Sequence, residues 1–169
     1  KVYVVSTEPD KIYQYTLTTP WDISSGSADN PTSLSIETDQ TSTGLAFSSD
    51  GTKVYTIGTS NRYIYQYTLS TPWDISSGSY SGGHLWVGSQ DPAPRGLAFS
   101  SDGKKVYTIG FGNASLGIPP TIYQYTLFDL HPDASPCDLC DGTGPPGGCP
   151  IAPHVIKRDL GGMFMMLLD

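Results

Sequence analysis

The sequence predicts an all-β fold made of tandem four-stranded antiparallel units. Three observations predict it. Ile-Tyr-Gln-Tyr-Thr-Leu occurs three times, beginning at Ile12, Ile64 and Ile122. Lys-Val-Tyr begins at Lys1, Lys53 and Lys105, 52 residues apart each time, and Pro-Trp-Asp-Ile-Ser-Ser-Gly-Ser begins at Pro20 and Pro72. Self-similarity at a period of roughly 20–50 residues marks repeat architectures. No stretch longer than about ten residues carries helical apolar spacing, and the 19 glycines and 14 prolines punctuate the chain too often for helices.

The elements of one unit are clearest in the middle copy, residues 42–91. Gly44 to Ser48 is a short apolar run, and Ser49-Asp50-Gly51-Thr52 follows it. Asp-Gly between apolar runs is a strong hairpin signal, because glycine takes the positive φ such turns need. Lys53 to Ile57 is β-branched and aromatic, which predicts a second strand. Gly58 to Arg62 reads as a turn. Tyr63 to Leu69 alternates with period two, setting Tyr65, Tyr67 and Leu69 on one face and Ile64, Gln66 and Thr68 on the other. After the Pro72-Trp73-Asp74 corner and a Ser/Gly stretch, residues 84–88 form the predicted fourth strand; the first copy has its equivalent at about 33–38. Four short strands joined by tight turns is the blade pattern of a β-propeller. The repeat region runs over 1–127, as units of about 1–43, 44–95 and 96–127, followed by an irregular Cys/Pro/Gly-rich tail, 128–169.

Gly-Leu-Ala-Phe-Ser-Ser-Asp-Gly-Thr-Lys-Val-Tyr at 44–55, repeated with Lys104 at 96–107, resembles the blade repeat of lactonase-like and YVTN-type β-propellers. In that family a G-x-A-x-S-x-D-G-x-x-x-Y stretch forms the two inner strands of a blade. The Tyr-Gln-Tyr-Thr-Leu-Ser-Thr-Pro-Trp-Asp-Ile-Ser variant is similar to repeats of uncharacterised bacterial, phage and environmental proteins. The resemblance covers about three-quarters of the chain and implies a fold, not an activity, because propellers host many unrelated roles.

The strand count does not close a ring. The motifs predict ten strands, about two and a half blades, beginning on the second strand of a unit and ending on a third. A closed propeller takes about four to eight four-stranded blades. Either the chain is a piece of a longer protein, or its open margins are completed by copies of itself. Unpaired strand edges invite pairing with another chain, and a head-to-tail contact gives a ring if the rotation closes and a filament if it does not.

Composition narrows the partners. Nine Lys and Arg against sixteen Asp and Glu give a formal net charge of −7, which argues against nucleic acid, since phosphate binding needs clustered cations. Only 15% of residues are charged, so Ser, Thr, Tyr, Gln and Gly dominate the surface. Such surfaces suit extracellular, cell-surface or virion-surface proteins and contact with glycans; they equally suit plain solubility. The longest apolar run, Met163 to Leu168, falls well short of the roughly 18–20 residues of a membrane span. A first residue of Lys1 rather than Met points to processing or truncation upstream.

The tail holds the only metal-ligand pattern. Cys137 and Cys140 form a C-x-x-C-x-G-x-G knuckle, and Cys149 and His154 could complete a zinc set. The alternatives are a disulfide, with the third cysteine bridging two chains, and a Pro/Gly-rich linker whose cysteines have no role. The segment from Val155 to Asp169 is apolar enough to need a partner surface and could add a strand to a blade.

No catalytic constellation or cofactor motif stands above background, so the expectation is a protein that is not an enzyme and holds no cofactor beyond that zinc. His84, His131 and His154 are isolated in sequence. Asp50 and Asp102 read as turn residues that bond backbone N–H groups; Asp22 and Asp74 read as corner caps. Tyr13, Tyr15, Tyr65, Tyr67, Tyr123 and Tyr125 recur at identical positions, which argues for packing between blades; Trp21, Trp73 and Trp86 matter for binding only if exposed. Asn113-Ala114-Ser115 is a glycosylation sequon that could carry glycan in a secreted eukaryotic product and would usually be bare in a bacterial or phage protein. The expected role is a structural repeat protein that self-assembles through incomplete blades into a ring or filament. A carbohydrate- or protein-binding propeller module comes second, and a fragment of a lactonase-like enzyme third.

Overall fold

The computed structural model describes residues 1–27, 32–36, 41–112, 117, 119–127 and 156–159. Those residues form an all-β protein of three antiparallel sheets. The strands are β1 (Val2–Thr7), β2 (Asp10–Tyr15), β3 (Thr32–Ser35), β4 (Ser42–Phe47), β5 (Lys53–Gly58), β6 (Tyr63–Leu69), β7 (Gly78–Trp86), β8 (Pro94–Phe99), β9 (Lys105–Gly110), β10 (Thr121–Thr126) and β11 (Ile156–Asp159). The first sheet has the order β1-β2-β3, the second β4-β5-β6-β7, and the third β8-β9-β10-β11. Among the described residues the only helical pieces are two single 3-10 turns, Ile23–Ser25 and Ile75–Ser77, and the three sheets do not close into a ring.

The repeat dictates the pairing. Leu45 stands opposite Thr56 and Phe47 opposite Val54; 52 residues on, Leu97 stands opposite Thr108 and Phe99 opposite Val106. The turn between β4 and β5 is set by Asp50, whose Oδ1 accepts from Ser48 Oγ at 2.6 Å, Thr52 N at 3.0 Å and Thr52 Oγ1 at 2.8 Å. Those bonds hold its carboxyl well below the usual range, at about 2. Asp102 repeats the device, accepting from Ser100 Oγ and from Lys104 N at 3.0 Å. The sequence reading of both aspartates as turn residues therefore holds.

Three expectations need correction. The fourth strand of the middle unit begins at Gly78 rather than at 84, because the Ser/Gly stretch pairs too: Tyr80 stands opposite Tyr67, and Ser81 Oγ donates to Gln66 O at 2.8 Å. A register shift between Tyr65 and Tyr67 absorbs Gly82, at φ +81°, and Gly83. In the first unit the strand expected at about 33–38 begins at Thr32 and ends at Ser35, with Ile36 N still bonded to Asp10 O at 2.9 Å; residues 37 and 38 lie outside the described residues. Finally, the third sheet does not end on its third strand. Ile156–Asp159, from the tail, pairs antiparallel with β10, from Gln124↔Ile156 to Thr121↔Asp159. The strands among the described residues number eleven, and one of the two margins expected to be open is occupied.

The core consists of two layers, one on each face of the second sheet. Tyr65, Tyr67, Leu69 and Val54 bury against Ile12, Ile36 and Ile75, with Tyr3, Val5 and Leu34 packed beside them. On the opposite face Ile57 and Ile64 bury against Val106, Tyr123 and Tyr125, with Leu97 and Phe99. Tyr65, Tyr67 and Leu69 thus share a buried face as their spacing predicts. Ring pairs repeat across the layers: Tyr3 with Phe47 at 4.5 Å and Tyr55 with Phe99 at 4.4 Å between centroids. Gly44 lets β4 approach β8, for a Cβ there would lie 2.6 Å from Arg95 O and 2.9 Å from Ile57 Cγ2. The approach is tied by Thr43 Oγ1 donating to Arg95 O at 3.0 Å.

Candidate functional site

The Pro-Trp-Asp corner occurs twice and is completed once. Asp22 Oδ1 accepts from Ser24 N at 2.9 Å and Ser24 Oγ at 2.6 Å; Asp74 Oδ1 accepts from Ser76 N at 3.0 Å and Ser76 Oγ at 2.7 Å. Each caps its 3-10 turn, and the serine bonds lower both carboxyl pKa values. Trp21 and Trp73 both sit in the left-handed region, at φ 64° and 61°. There the copies diverge. The Trp73 ring lies on Gly51, so closely that a Cβ on that glycine would come within 2.2 Å of Nε1. Trp73 N donates to Gly51 O at 2.9 Å, and its ring meets Phe47 at 5.2 Å. Its carbonyl accepts from Tyr3 Oη at 2.7 Å and Lys1 Nζ at 2.9 Å, fastening the corner to the first sheet. Among the described residues Trp21 has no such glycine turn in its sheet, and it is 97% exposed, against 40% for Trp73. The third copy of the turn shows the converse: a Cβ on Gly103 would meet nothing within 4 Å.

The outer faces show the same incompleteness. Inside the chain one kind of contact occurs twice. The Val54, Thr56, Tyr65, Tyr67 face of the second sheet covers the first sheet, and the Val106, Thr108, Tyr123, Tyr125 face of the third covers the second. At either end the equivalent residues stand in the open. Ile57 is fully buried while Ile109, 52 residues later, is 42% exposed; Thr56 is fully buried while Val4 is 45% exposed. Phe111 is exposed beside Ile109, with the Arg95 guanidinium 4.7 Å over its ring. The recurring tyrosines follow this gradient: Tyr65, Tyr67, Tyr123 and Tyr125 are buried, and Tyr13 and Tyr15, on the open face of the first sheet, are half-buried.

A third feature is aromatic. Tyr63, Tyr80, His84 and Trp86 gather on β6 and β7, with Tyr63 and His84 edge to face at 5.3 Å and Tyr67 and Tyr80 at 5.6 Å. Tyr80, His84 and Trp86 are exposed, and His84 Nδ1 meets Gly82 O at 3.1 Å. His84 is therefore a surface side chain, as the sequence suggested.

One buried acid escaped sequence reasoning. Asp91 is almost wholly hidden, accepting from Ala93 N at 3.2 Å and Thr108 Oγ1 at 3.3 Å. Burial pushes its carboxyl upward despite those bonds, and burial likewise pushes up the phenol of Tyr125 nearby. Gly110 makes room for it, since a Cβ there would lie 2.2 Å from Asp91 Oδ1. Out of solvent reach, this carboxyl ties the 91–93 turn to β9. Its only sequence signal is an acid two residues before the Ala-Pro pair that leads into β8.

Cys137, Cys140, Cys149 and His154, the zinc or disulfide candidates, lie outside the described residues, as does Asn113 of the sequon. Among the described residues no three His, Cys, Asp or Glu side chains gather in a metal-binding group, and no helix is long and apolar enough to cross a membrane. No protein-family model and no curated protein matches the chain.

Proposed function

We propose that the three sheets are successive β-propeller-type blades and that the chain is a structural module, not an enzyme, which assembles head to tail with copies of itself. The observation that carries the reading is the pair of unlike faces that mate twice inside the chain and stand uncovered at its ends. Val4, Tyr13 and Tyr15 line one; Tyr107, Ile109 and Ile122 line the other. Because the two faces differ, the contact is heterologous, and repetition gives a ring or a filament according to the rotation per copy. The acidic, hydroxyl-rich surface supports display outside a cell or on a virion.

Sedimentation velocity over a concentration series, with electron microscopy of the same material, tests the reading. Oligomers that grow with concentration are expected, and Ile109→Asp, at a half-open surface site, returns the protein to monomers with its circular dichroism unchanged. A well-folded wild-type monomer at every concentration overturns it. A second reading, a carbohydrate-binding module, is favoured by the exposed Tyr80 and Trp86 rings; glycan binding by the monomeric variant is its mark.

A further inference from the structure

We infer that the free edge of β1, together with the Trp21 indole, is a receiving site for an extended strand of the Gly-x-Ala-x-Ser-x-Asp-Gly type. The second and third sheets show what belongs there. β4 lies on β5 with Gly44 opposite Ile57, Leu45 opposite Thr56, Ala46 opposite Tyr55 and Phe47 opposite Val54. β8 lies on β9 in the same register, from Gly96 opposite Ile109 to Phe99 opposite Val106. β1 is the counterpart of β5 and β9 in sequence, and in the order β1-β2-β3 it is the outermost strand. The 52-residue period then sets the incoming glycine against Val5, the leucine against Val4, the alanine against Tyr3 and the phenylalanine against Val2.

An independent sign points to the same place. Trp21 is held in the same left-handed corner as Trp73 yet has nothing beneath its ring, and the turn glycine ending such a strand would come under it as Gly51 comes under Trp73. Among the described residues both strands of this type, β4 and β8, are already built into their own sheets, so the occupant is a further segment with this pattern. An edge strand offers unpaired N–H and C=O groups for such an addition, and alternate side chains give it specificity. The inference rests on the reading of the sheets as copies of one blade, but not on assembly.

The test titrates a synthetic peptide of the sequence Thr43 to Thr52 into the full chain. We expect a saturable blue shift of tryptophan emission that is absent from Trp21→Phe, together with slowed amide exchange across Val2–Thr7. A peptide with valine at its final glycine should bind at least tenfold more weakly, because the added side chain meets the indole. Absence of saturable binding, an unchanged shift in Trp21→Phe, or protection at β3, β7 or β11 instead of β1 would overturn it. The exchange measurement needs no variant. Running the titration on Ile109→Asp separates the two readings: peptide binding with no wild-type oligomers sinks assembly alone, and oligomers with no peptide binding sink this site alone.

Discussion

Replacing each corner tryptophan by alanine should give opposite outcomes from the same local sequence. Trp73 is 40% exposed, so about three-fifths of its surface is out of water, against almost none for Trp21 at 97%. A packed tryptophan hides about 150–250 Å², so Trp73 withdraws roughly 120 Å², which at about 25 cal/mol/Å² is about 3 kcal/mol. Both residues carry the cost of a left-handed backbone, but alanine keeps a Cβ and bears the same cost, so strain cancels from the comparison. Trp73→Ala is therefore expected to cost about 3 kcal/mol and Trp21→Ala less than about 0.5 kcal/mol. With a urea slope of about 2 kcal/mol/M, the midpoint of Trp73→Ala falls by roughly 1.5 M and that of Trp21→Ala hardly moves. The assay is urea unfolding followed by circular dichroism at one fixed protein concentration. Equal shifts for the two variants would refute the argument that the Asp-Gly turn beneath the ring, and not the corner itself, stabilises this motif.

Two further outcomes follow from single side chains. Asp50 has its folded pKa depressed to about 2 from an ordinary 3.8, so its contribution is present above the unfolded value and is lost as pH falls from about 4 to about 2. The stability gap between wild type and Asp50→Ala, read by urea midpoints, should be constant near neutrality and shrink over that window; a gap that widens on acidification contradicts it. Gln14 is buried in the first sheet, and its Oε1 accepts from Ile75 N at 3.1 Å. Gln14→Ala strands that N–H between two sheets and should cost about 1–3 kcal/mol, seen as a lower melting temperature, whereas Gln124→Ala, at a half-buried place in the third sheet, should cost less.

Much of the fold was legible because the repeat states each strand more than once. Gly-Leu-Ala-Phe, Lys-Val-Tyr and Tyr-Gln-Tyr fixed eight of the strands, and the burial of Tyr65, Tyr67 and Leu69 followed from period-two spacing. What escaped was the part that composition cannot mark. For β11 the sequence says only that 155–169 could add a strand: its four residues, Ile-Lys-Arg-Asp, have no copy elsewhere in the chain, and the edge that β10 offers decides where they pair. The start of β7 is Gly-Ser-Tyr-Ser, a stretch that reads as a loop until Tyr67 and Gln66 stand beside it. The exposure of Trp21, Val4 and Ile109 was illegible for another reason. It depends on which neighbours are missing, and identical motifs at Trp21 and Trp73 carry no trace of that difference.

Among the described residues the second sheet alone is clad on both sides, and this has a consequence for length. Loss of order should begin at the two terminal sheets and reach β5 and β6 last, so amides such as Thr56 and Tyr65 should exchange most slowly. Each unit added to such a series converts one terminal sheet into an interior one, while the number of terminal sheets stays at two. Longer versions of this chain would therefore gain resistance to unfolding faster than they gain residues.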